Sequence, residues 1–347
     1  MAGQHTVFRL KPRKGFDGLY QQREDVPKIT KHEVLIKVRS VSLNFRDIAI
    51  ATSKYPFPVA DNVVPCSDMA GDIAEIGESI QELSVGDKVV ASFDITNLYG
   101  PQRDWNYGQG GPIDGVLRQY AVLPASAIVK VPSDSPQTYS QWASVVCTGV
   151  TVWNAFYGNL PLRPGQVVLC QGTGGVSITA TILAKAAGAT VIITSSSDDK
   201  LALAKSKFGA DHGINYKSTP DWAAKALELT GGKGVDYIME NGGSGTIAQS
   251  IKAIAYGGII NVIGFLAQAS QEEMPDVAGL ALSKGAVVRG IMVGSKQLLE
   301  EAVRFVSQRQ LKLPVEKEFS FTHEGVRNAY EYLVSGQHVG KVCINVD

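Results

Sequence analysis

One contiguous stretch constrains this chain more than any other. Val167-Val-Leu-Cys170 runs into Gln171-Gly172-Thr173-Gly174-Gly175-Val176-Ser177 and then into a segment rich in Ala, Ile and Leu. The short apolar run suits a strand covered on both faces. Gly172 permits a sharp turn and Gly174 lets backbone approach a pyrophosphate. The helix beginning near Val176 offers free N–H groups and the positive end of its dipole. Ser177 stands where the fingerprint has its third glycine, and serine is still small enough for a close helix–strand contact. A glycine turn alone could be only a loop, so its surroundings decide its meaning. Strands are predicted at 167–170, 190–194, 213–215, 235–240, 258–263 and 286–293, most of them separated by helical patterns. That alternation predicts an α/β fold, a doubly wound parallel sheet of the Rossmann type holding a dinucleotide.

The punctuation supports the pattern. Thr219-Pro220-Asp221 reads as a helix start, with a capping hydroxyl, proline in the first turn and a carboxylate near the positive dipole end, and Gly231-Gly232 as its stop. An amphipathic helix is predicted at 296–308, followed by Glu318-Phe-Ser-Phe and a last strand at 341–346. The N-terminal part differs: Glu33-Val-Leu-Ile-Lys-Val-Arg-Ser-Val partly alternates, and short apolar runs continue at 88–92 and 119–123, a mostly β grammar. It changes at the Pro- and Ser-rich segment 131–140. At 347 residues the chain exceeds what one core usually serves. Two domains are expected.

An Asp or Glu about 20 residues past the first glycine would bind the ribose hydroxyls of NAD. This chain has Thr194-Ser195-Ser196-Ser197 there. Small hydroxyls leave room for a 2′-phosphate, Lys200 can supply a cation, and no carboxylate repels it, which favours NADPH. The alternative is that the serines cap the next helix and Asp198 or Asp199 turns to the ribose.

Balanced charge, 33 basic against 33 acidic residues, gives no field to recruit nucleic acid or an anionic membrane. No apolar run reaches the ~20 residues of a membrane span or resembles a signal peptide. Cys66, Cys147, Cys170 and Cys343 are scattered, without CxxC spacing. A soluble, cytoplasmic protein with reduced thiols is expected. The five histidines form no nucleophile–base pattern, and no Gly-x-Ser-x-Gly elbow supports hydrolysis.

Several short motifs now occur in one order: Asn44-Phe-Arg-Asp47, Tyr55-Pro56, Gly71 to Gly77 with Gly86-Asp87-Lys88-Val89, Cys147-Thr-Gly-Val-Thr-Val-Trp153, the glycine turn, Gly209-Ala-Asp, Ile214-Asn-Tyr216 and Gly340-Lys341. Over nearly its whole length the chain resembles the medium-chain dehydrogenase/reductase superfamily, in its zinc-independent, quinone-oxidoreductase-like branch, also related to zinc-type alcohol dehydrogenase-like proteins. The resemblance implies a β-rich, GroES-like catalytic domain over 1–140, completed by 295–347, with the Rossmann domain inserted at 141–294. It implies that Ser195, Ser196, Lys200 and Tyr216 surround the adenosine phosphate. Thr148, Asn241, Gly242, Ile263, Gly264 and Val293 would lie along the NADPH, beside Gly172, Thr173, Gly174, Gly175 and Val176. It further implies a homodimer paired along the 286–293 edge strand.

The zinc branch of that superfamily carries Cys near 43–45, His-Glu at Ser67-Asp68 and Cys at Cys147. Only the last is kept here, and no cysteine between Cys66 and Cys147 could build a structural zinc lobe. A catalytic zinc needs three protein ligands. No metal is expected, and Cys147 is expected as a thiol near the nicotinamide. Without zinc the acceptor must be polarised by hydrogen bonds, which suits an enone or a quinone. Asn44 is a candidate to contact nicotinamide or a substrate carbonyl, Asp47 to orient that region, and Tyr55 to donate to a developing enolate oxygen. The bland alternatives are that Asn44 and Asp47 cap a turn and that Tyr55 only packs. Tyr99, Trp105 and Tyr107 lie on an irregular loop that could present an aromatic wall to an apolar or planar small-molecule acceptor. Two other activities fit the sequence: an alcohol or aldehyde dehydrogenase acting on C=O and CH–OH, and a non-catalytic NADPH-binding structural or regulatory protein.

Overall fold

A computed structural model describes residues 3–346. They divide into two compact units, Thr151–Met292 and the segments on either side of it.

The inserted unit is built on a six-stranded parallel sheet. Its strands lie in the order His212–Asn215, Thr190–Ser195, Val167–Gln171, Val235–Glu240, Ile254–Val262, Val287–Gly290. Numbered along the chain this is 3-2-1-4-5-6, the doubly wound order. Val168, Leu169, Cys170, Ile238 and Met239 in its central strands are buried completely, as expected for a sheet covered on both faces. The register sets Gln171 opposite Thr194, and Met239 opposite Cys170, so the residues following three strands converge at one sheet edge.

Three local readings are corrected. The helix expected from Thr219 is Trp222–Leu229; Asp221 is its cap, accepting from the Ala224 N–H, and Pro220 lies before the cap. Aspartate competes well with threonine for this role, and here its carboxylate also receives Lys252. The fifth strand starts at Ile254, before the Gly257-Gly258 pair. There the register jumps from Val235↔Ile254 to Tyr237↔Ile259, and Gly257 takes φ +74°; a bulge absorbs the glycines that read as a boundary. The last strand stops at Gly290 and does not reach Val293, whose φ of +45° breaks extended structure.

In the other unit the seven-stranded sheet runs Val315–Ser320, Lys341–Asn345, Glu33–Ser42, Asp68–Ile76, Lys88–Ala91, Ile128–Lys130, with Tyr120–Pro124 also on Glu33–Ser42. A separate antiparallel pair, Gln4–Leu10 with Leu19–Asp25, and the helix His323–Val334, whose Val326, Ala329 and Tyr330 form one buried face, add to the elements expected. Ser42 pairs with Cys343 on one side and with Asp68 on the other. Residues far apart along the chain therefore meet just past the end of Glu33–Ser42, where the helix Phe45–Ala51 begins. The core beneath includes Phe8, Leu10, Ile36, Leu43, Met69 and Tyr330. Among the described residues no helix is long and apolar enough to cross a membrane.

Candidate active site

In the inserted unit the turn after Val167–Gln171 has the properties its sequence predicts. Gly172 has φ +78°, a conformation that disfavours any side chain, and a Cβ at Gly172 or Gly174 would project into open space. Gly174 is the N-cap of the helix Gly175–Ala186 and, having no side chain, leaves the first-turn N–H groups to a ligand. Thr173 beside it is buried. The turn fits the pyrophosphate of a dinucleotide.

Ser177 is more than a small substitute for glycine. It is buried, its hydroxyl donates to the Gln171 carbonyl at 2.6 Å, and it accepts from Asn241 Nδ2 at 2.9 Å. The neighbouring wall is organised by Glu240, fully buried at the end of its strand. Its Oε1 accepts from the Gly242 and Gly243 N–H groups, both at 2.9 Å, and from Thr246; its Oε2 accepts from Gln171 Nε2 at 2.7 Å and from Ser250. Gln171 Oε1 in turn accepts from the Asn241 and Gly242 N–H groups. The Glu240 carbonyl takes the N–H groups of Ile263 and Gly264, and a Cβ on Gly264 would lie 2.5 Å from the Asn241 carbonyl. Asn241, Gly242, Ile263 and Gly264 are thus tied to the glycine turn through Gln171 and Glu240, two residues the sequence did not single out. A buried carboxylate at the end of a predicted strand was the available signal.

At the second strand Thr194 Oγ1 accepts from the Gly172 N–H, while Ser195 is buried and its carbonyl accepts the Tyr216 N–H. Ser197 caps the helix Asp198–Phe208 by accepting the Lys200 N–H, so one serine of the run performs the capping task. Asp198 accepts from Asn215 Nδ2. Tyr216 thus meets Ser195 through the backbone, and Lys200 lies in the first turn of the helix that Ser197 caps. Thr148 and Val293 belong to the other unit.

In that unit a buried polar cluster forms around Asn44. The Asp47 carboxylate accepts the Asn44 N–H at 2.8 Å through Oδ2, half of a capping box at the start of Phe45–Ala51; its Oδ1 finds no partner. Burial pushes the Asp47 carboxyl up to about 6, against the pull of Arg46. Lys341, 2% exposed, donates to the Leu43 carbonyl and to Asn44 Oδ1, each at 2.6 Å. Asp68, wholly buried, accepts from Ser67 Oγ at 2.6 Å and from the Cys147 N–H at 3.1 Å. Burial raises its pKa while Lys341 and then Asn44 lower it. Asn44 Nδ2 is turned toward this carboxylate without closing a well-formed hydrogen bond.

Cys147 lies in a widened, π-type turn, Val145–Gly149, between two α-helical segments. Such turns are frequent at functional sites. Burial, then Asp68, push its thiol up to about 12, so it stays protonated. Thr148 in the same turn donates back to the Ser144 carbonyl. Cys66, fully buried at φ +69°, has its sulfur 3.4 Å from the Tyr330 hydroxyl. Tyr55 is half-buried under the Arg46 guanidinium, 5.1 Å from its ring centre, and burial raises its pKa. Arg46 also covers Phe93 and donates to the Gln109 carbonyl at 2.7 Å. The ring of Tyr55 meets Phe57 edge-on, and Phe57 stacks on Trp105 at 3.9 Å. The loop aromatics therefore divide: Trp105 joins Tyr55, whereas Tyr99 and Tyr107 are exposed. Arg46, Lys341 and Phe57 are additions to the residues expected here.

The cluster does not suit a zinc ion. Among the described residues no three of His, Cys, Asp and Glu are grouped to hold a metal. A neutral amide faces an ammonium group, and the one carboxylate beside Cys147 is already engaged by a hydroxyl and an N–H.

Residues 30–133 match the model of the alcohol dehydrogenase GroES-like domain, and residues 175–308 that of zinc-binding dehydrogenases. A zinc-type alcohol dehydrogenase-like protein of Schizosaccharomyces pombe is 41% identical over 96% of both chains. An acryloyl-coenzyme A reductase of Sulfurisphaera tokodaii is 27% identical over 92% of this chain and 93% of its own. The crystal structure of a putative alcohol dehydrogenase from Sinorhizobium meliloti superposes with a TM-score of 0.90 at 34% identity, covering all of both chains.

Proposed function

The chain belongs to the medium-chain dehydrogenase/reductase family, and on that premise we propose that it is an NADPH-dependent, zinc-free reductase of an activated C=C bond or a quinone. The observation that carries this reading is the composition of the Asn44 cluster. Its two carboxylates, Asp47 and Asp68, are already engaged by N–H and hydroxyl donors, and beside them an amide and an ammonium offer hydrogen-bond donors rather than further anionic ligands. Such donors stabilise the oxygen anion of an enolate or hydroquinone as it forms. The relative named as an acryloyl-coenzyme A reductase supports an acceptor in which C=C is activated by a carbonyl.

The bound dinucleotide supplies the hydride. Gly172, Thr173, Gly174, Gly175 and Val176 receive its pyrophosphate at the helix N-terminus. Ser195, Ser196, Lys200 and Tyr216 receive the 2′-phosphate, since neither buried position at the end of the second strand, Thr194 or Ser195, holds a carboxylate. Asn241, Gly242, Ile263 and Gly264 support the rest of the cofactor through the Glu240 network. Asn44 donates from Nδ2 to a carbonyl oxygen, Asp47 holds the Asn44 backbone, and Tyr55 donates its hydroxyl proton to the reduced acceptor. Cys147 stays a neutral thiol. The aromatic group of Tyr55, Phe57 and Trp105 favours a planar or apolar acceptor.

A homodimer fits the inserted unit. Among the described residues Val287–Gly290 ends the sheet with its outer edge unpaired, and none of the apolar helix Val277–Lys284 is fully buried, with Leu282 83% exposed. Light scattering giving twice the chain mass would support it; a monomer would refute it.

A second reading, carbonyl–alcohol interconversion, is favoured by the name of the fission-yeast relative. Product analysis after incubation with NADPH and an α,β-unsaturated aldehyde separates the two. The saturated aldehyde is expected; the allylic alcohol would overturn the C=C assignment. Tighter binding of NADH than of NADPH would overturn the cofactor assignment, and NADPH binding with no turnover of enones, quinones or aldehydes would point to a non-catalytic role.

A further inference from the structure

Lys341 is a buried ammonium whose hydrogen-bond partners, the Leu43 carbonyl and Asn44 Oδ1, are both neutral. A charge so removed from water is costly unless opposite charge lies near. Asp68 and Asp47, both buried, lie close enough for Lys341 to lower the pKa of each. The backbone is shaped to bring the lysine in. Gly340 takes φ +95°, and a Cβ there would lie 2.3 Å from the Pro314 carbonyl, which accepts the Lys341 N–H at 2.6 Å. The strand Lys341–Asn345 then continues beside Ser40–Ser42. An ammonium has donors and no acceptor, so the Asn44 carboxamide must turn its oxygen to Lys341. Its NH2 group is thereby turned toward the Asp68 carboxylate, with which it closes no well-formed hydrogen bond, so its hydrogens stay available to an acceptor oxygen.

Resting on the zinc-free reading, we propose that Lys341 is the resident cation of this site: it offsets the buried Asp68 and Asp47 carboxylates and locks Asn44 as a hydrogen-bond donor. Lys341 is a positioning residue, acting on an acceptor oxygen through Asn44.

The test is a set of variants in the full chain: Lys341→Met, Asp68→Asn, the two combined, Asn44→Ala, and Lys341→Met with Asn44→Ala. Lys341→Met leaves the buried Asp68 carboxylate without a counter-charge, while Asp47 keeps Arg46, and should lower Tm on the order of 10 °C. Adding Asp68→Asn should restore at least half of that loss, because removing both charges costs less than removing one. If Lys341→Met alone does not fold, recovery of folded protein in the double variant is the same result. In turnover, Lys341→Met should lower kcat about tenfold or more with the NADPH Kd unchanged. In the Asn44→Ala background it should lower kcat less than about twofold. Additive Tm losses, or an undiminished kcat effect without Asn44, would overturn the proposal. So would tightly bound stoichiometric zinc in the purified wild type. Thermal coupling in a protein that reduces no acceptor would fault the proposed function alone. Turnover with additive Tm losses would fault only the role of Lys341.

Discussion

Asp47 offers a quantitative test of how this site is held. It is 2% exposed, with one oxygen on the Asn44 N–H and the other unpartnered. Its carboxyl is raised from 3.8 to about 6, first by burial. At about 1.4 kcal/mol per pKa unit, ionising it in the folded state costs about 3 kcal/mol relative to the unfolded chain. The sign follows from proton binding: between those two values the folded protein holds the proton more tightly than the unfolded chain does. Stability from this group is full below pH ~4 and lost as pH rises through about 6. Asp47→Asn keeps an oxygen to accept the Asn44 N–H and removes the titration. Urea unfolding of wild type and variant at half-unit steps from pH 4 to 8 reads the difference. Wild type should lose about 2 to 3 kcal/mol relative to Asp47→Asn between pH 4 and 7, then run parallel to it. A difference that stays flat, or that grows in favour of wild type with rising pH, would refute the reasoning.

Other consequences can be checked individually. Tyr55→Phe removes the hydroxyl but keeps the contacts with Arg46 and Phe57, and should lower kcat for an enone about a hundredfold at unchanged NADPH affinity; unchanged turnover excludes Tyr55 as the proton donor. Ser196→Asp places a carboxylate where the 2′-phosphate is expected. NADPH should bind at least about tenfold more weakly by fluorescence titration and NADH within about twofold of wild type; equal loss for both would remove the phosphate from this position. Glu240→Gln puts an amide nitrogen among five donors and should cost about 2–4 kcal/mol. It should also weaken dinucleotide binding, so wild-type stability with wild-type affinity would show that the network is not required.

The inserted unit was largely legible because its determinants are local. Alternating apolar runs and helical patterns predicted its parallel strands, and the glycines of the turn state their own backbone requirement. Errors arose where local signals competed. Pro220 and Thr219 drew the helix start two residues early, and Gly257-Gly258 read as a boundary although a bulge absorbs them. The β-rich unit was less legible. Its N-terminal hairpin and the helix His323–Val334 lie outside the elements expected, the helix although Val326, Ala329, Tyr330 and Leu333 recur at helical spacing, and its sheet joins strands from opposite ends of the chain.

The same division applies to the site. Asn44, Asp47, Tyr55 and Cys147 could be named from sequence, but their surroundings could not, because burial, partners and field depend on which strands pair. Gly340-Lys341 is visible as a dipeptide near the C-terminus; only the pairing of Lys341–Asn345 with Glu33–Ser42 puts the ammonium against Asn44. Ser177 is visibly a replaced glycine; only the folded turn joins its hydroxyl to Gln171 and Asn241. The sequence by itself determined the parallel order of the dinucleotide unit and the φ > 0 turn at Gly172, since both follow from short-range sterics and hydrophobic period. Tertiary structure decided the charge balance around Asn44, because electrostatic energy in a buried site depends on distances between residues that the chain separates by almost 300 positions.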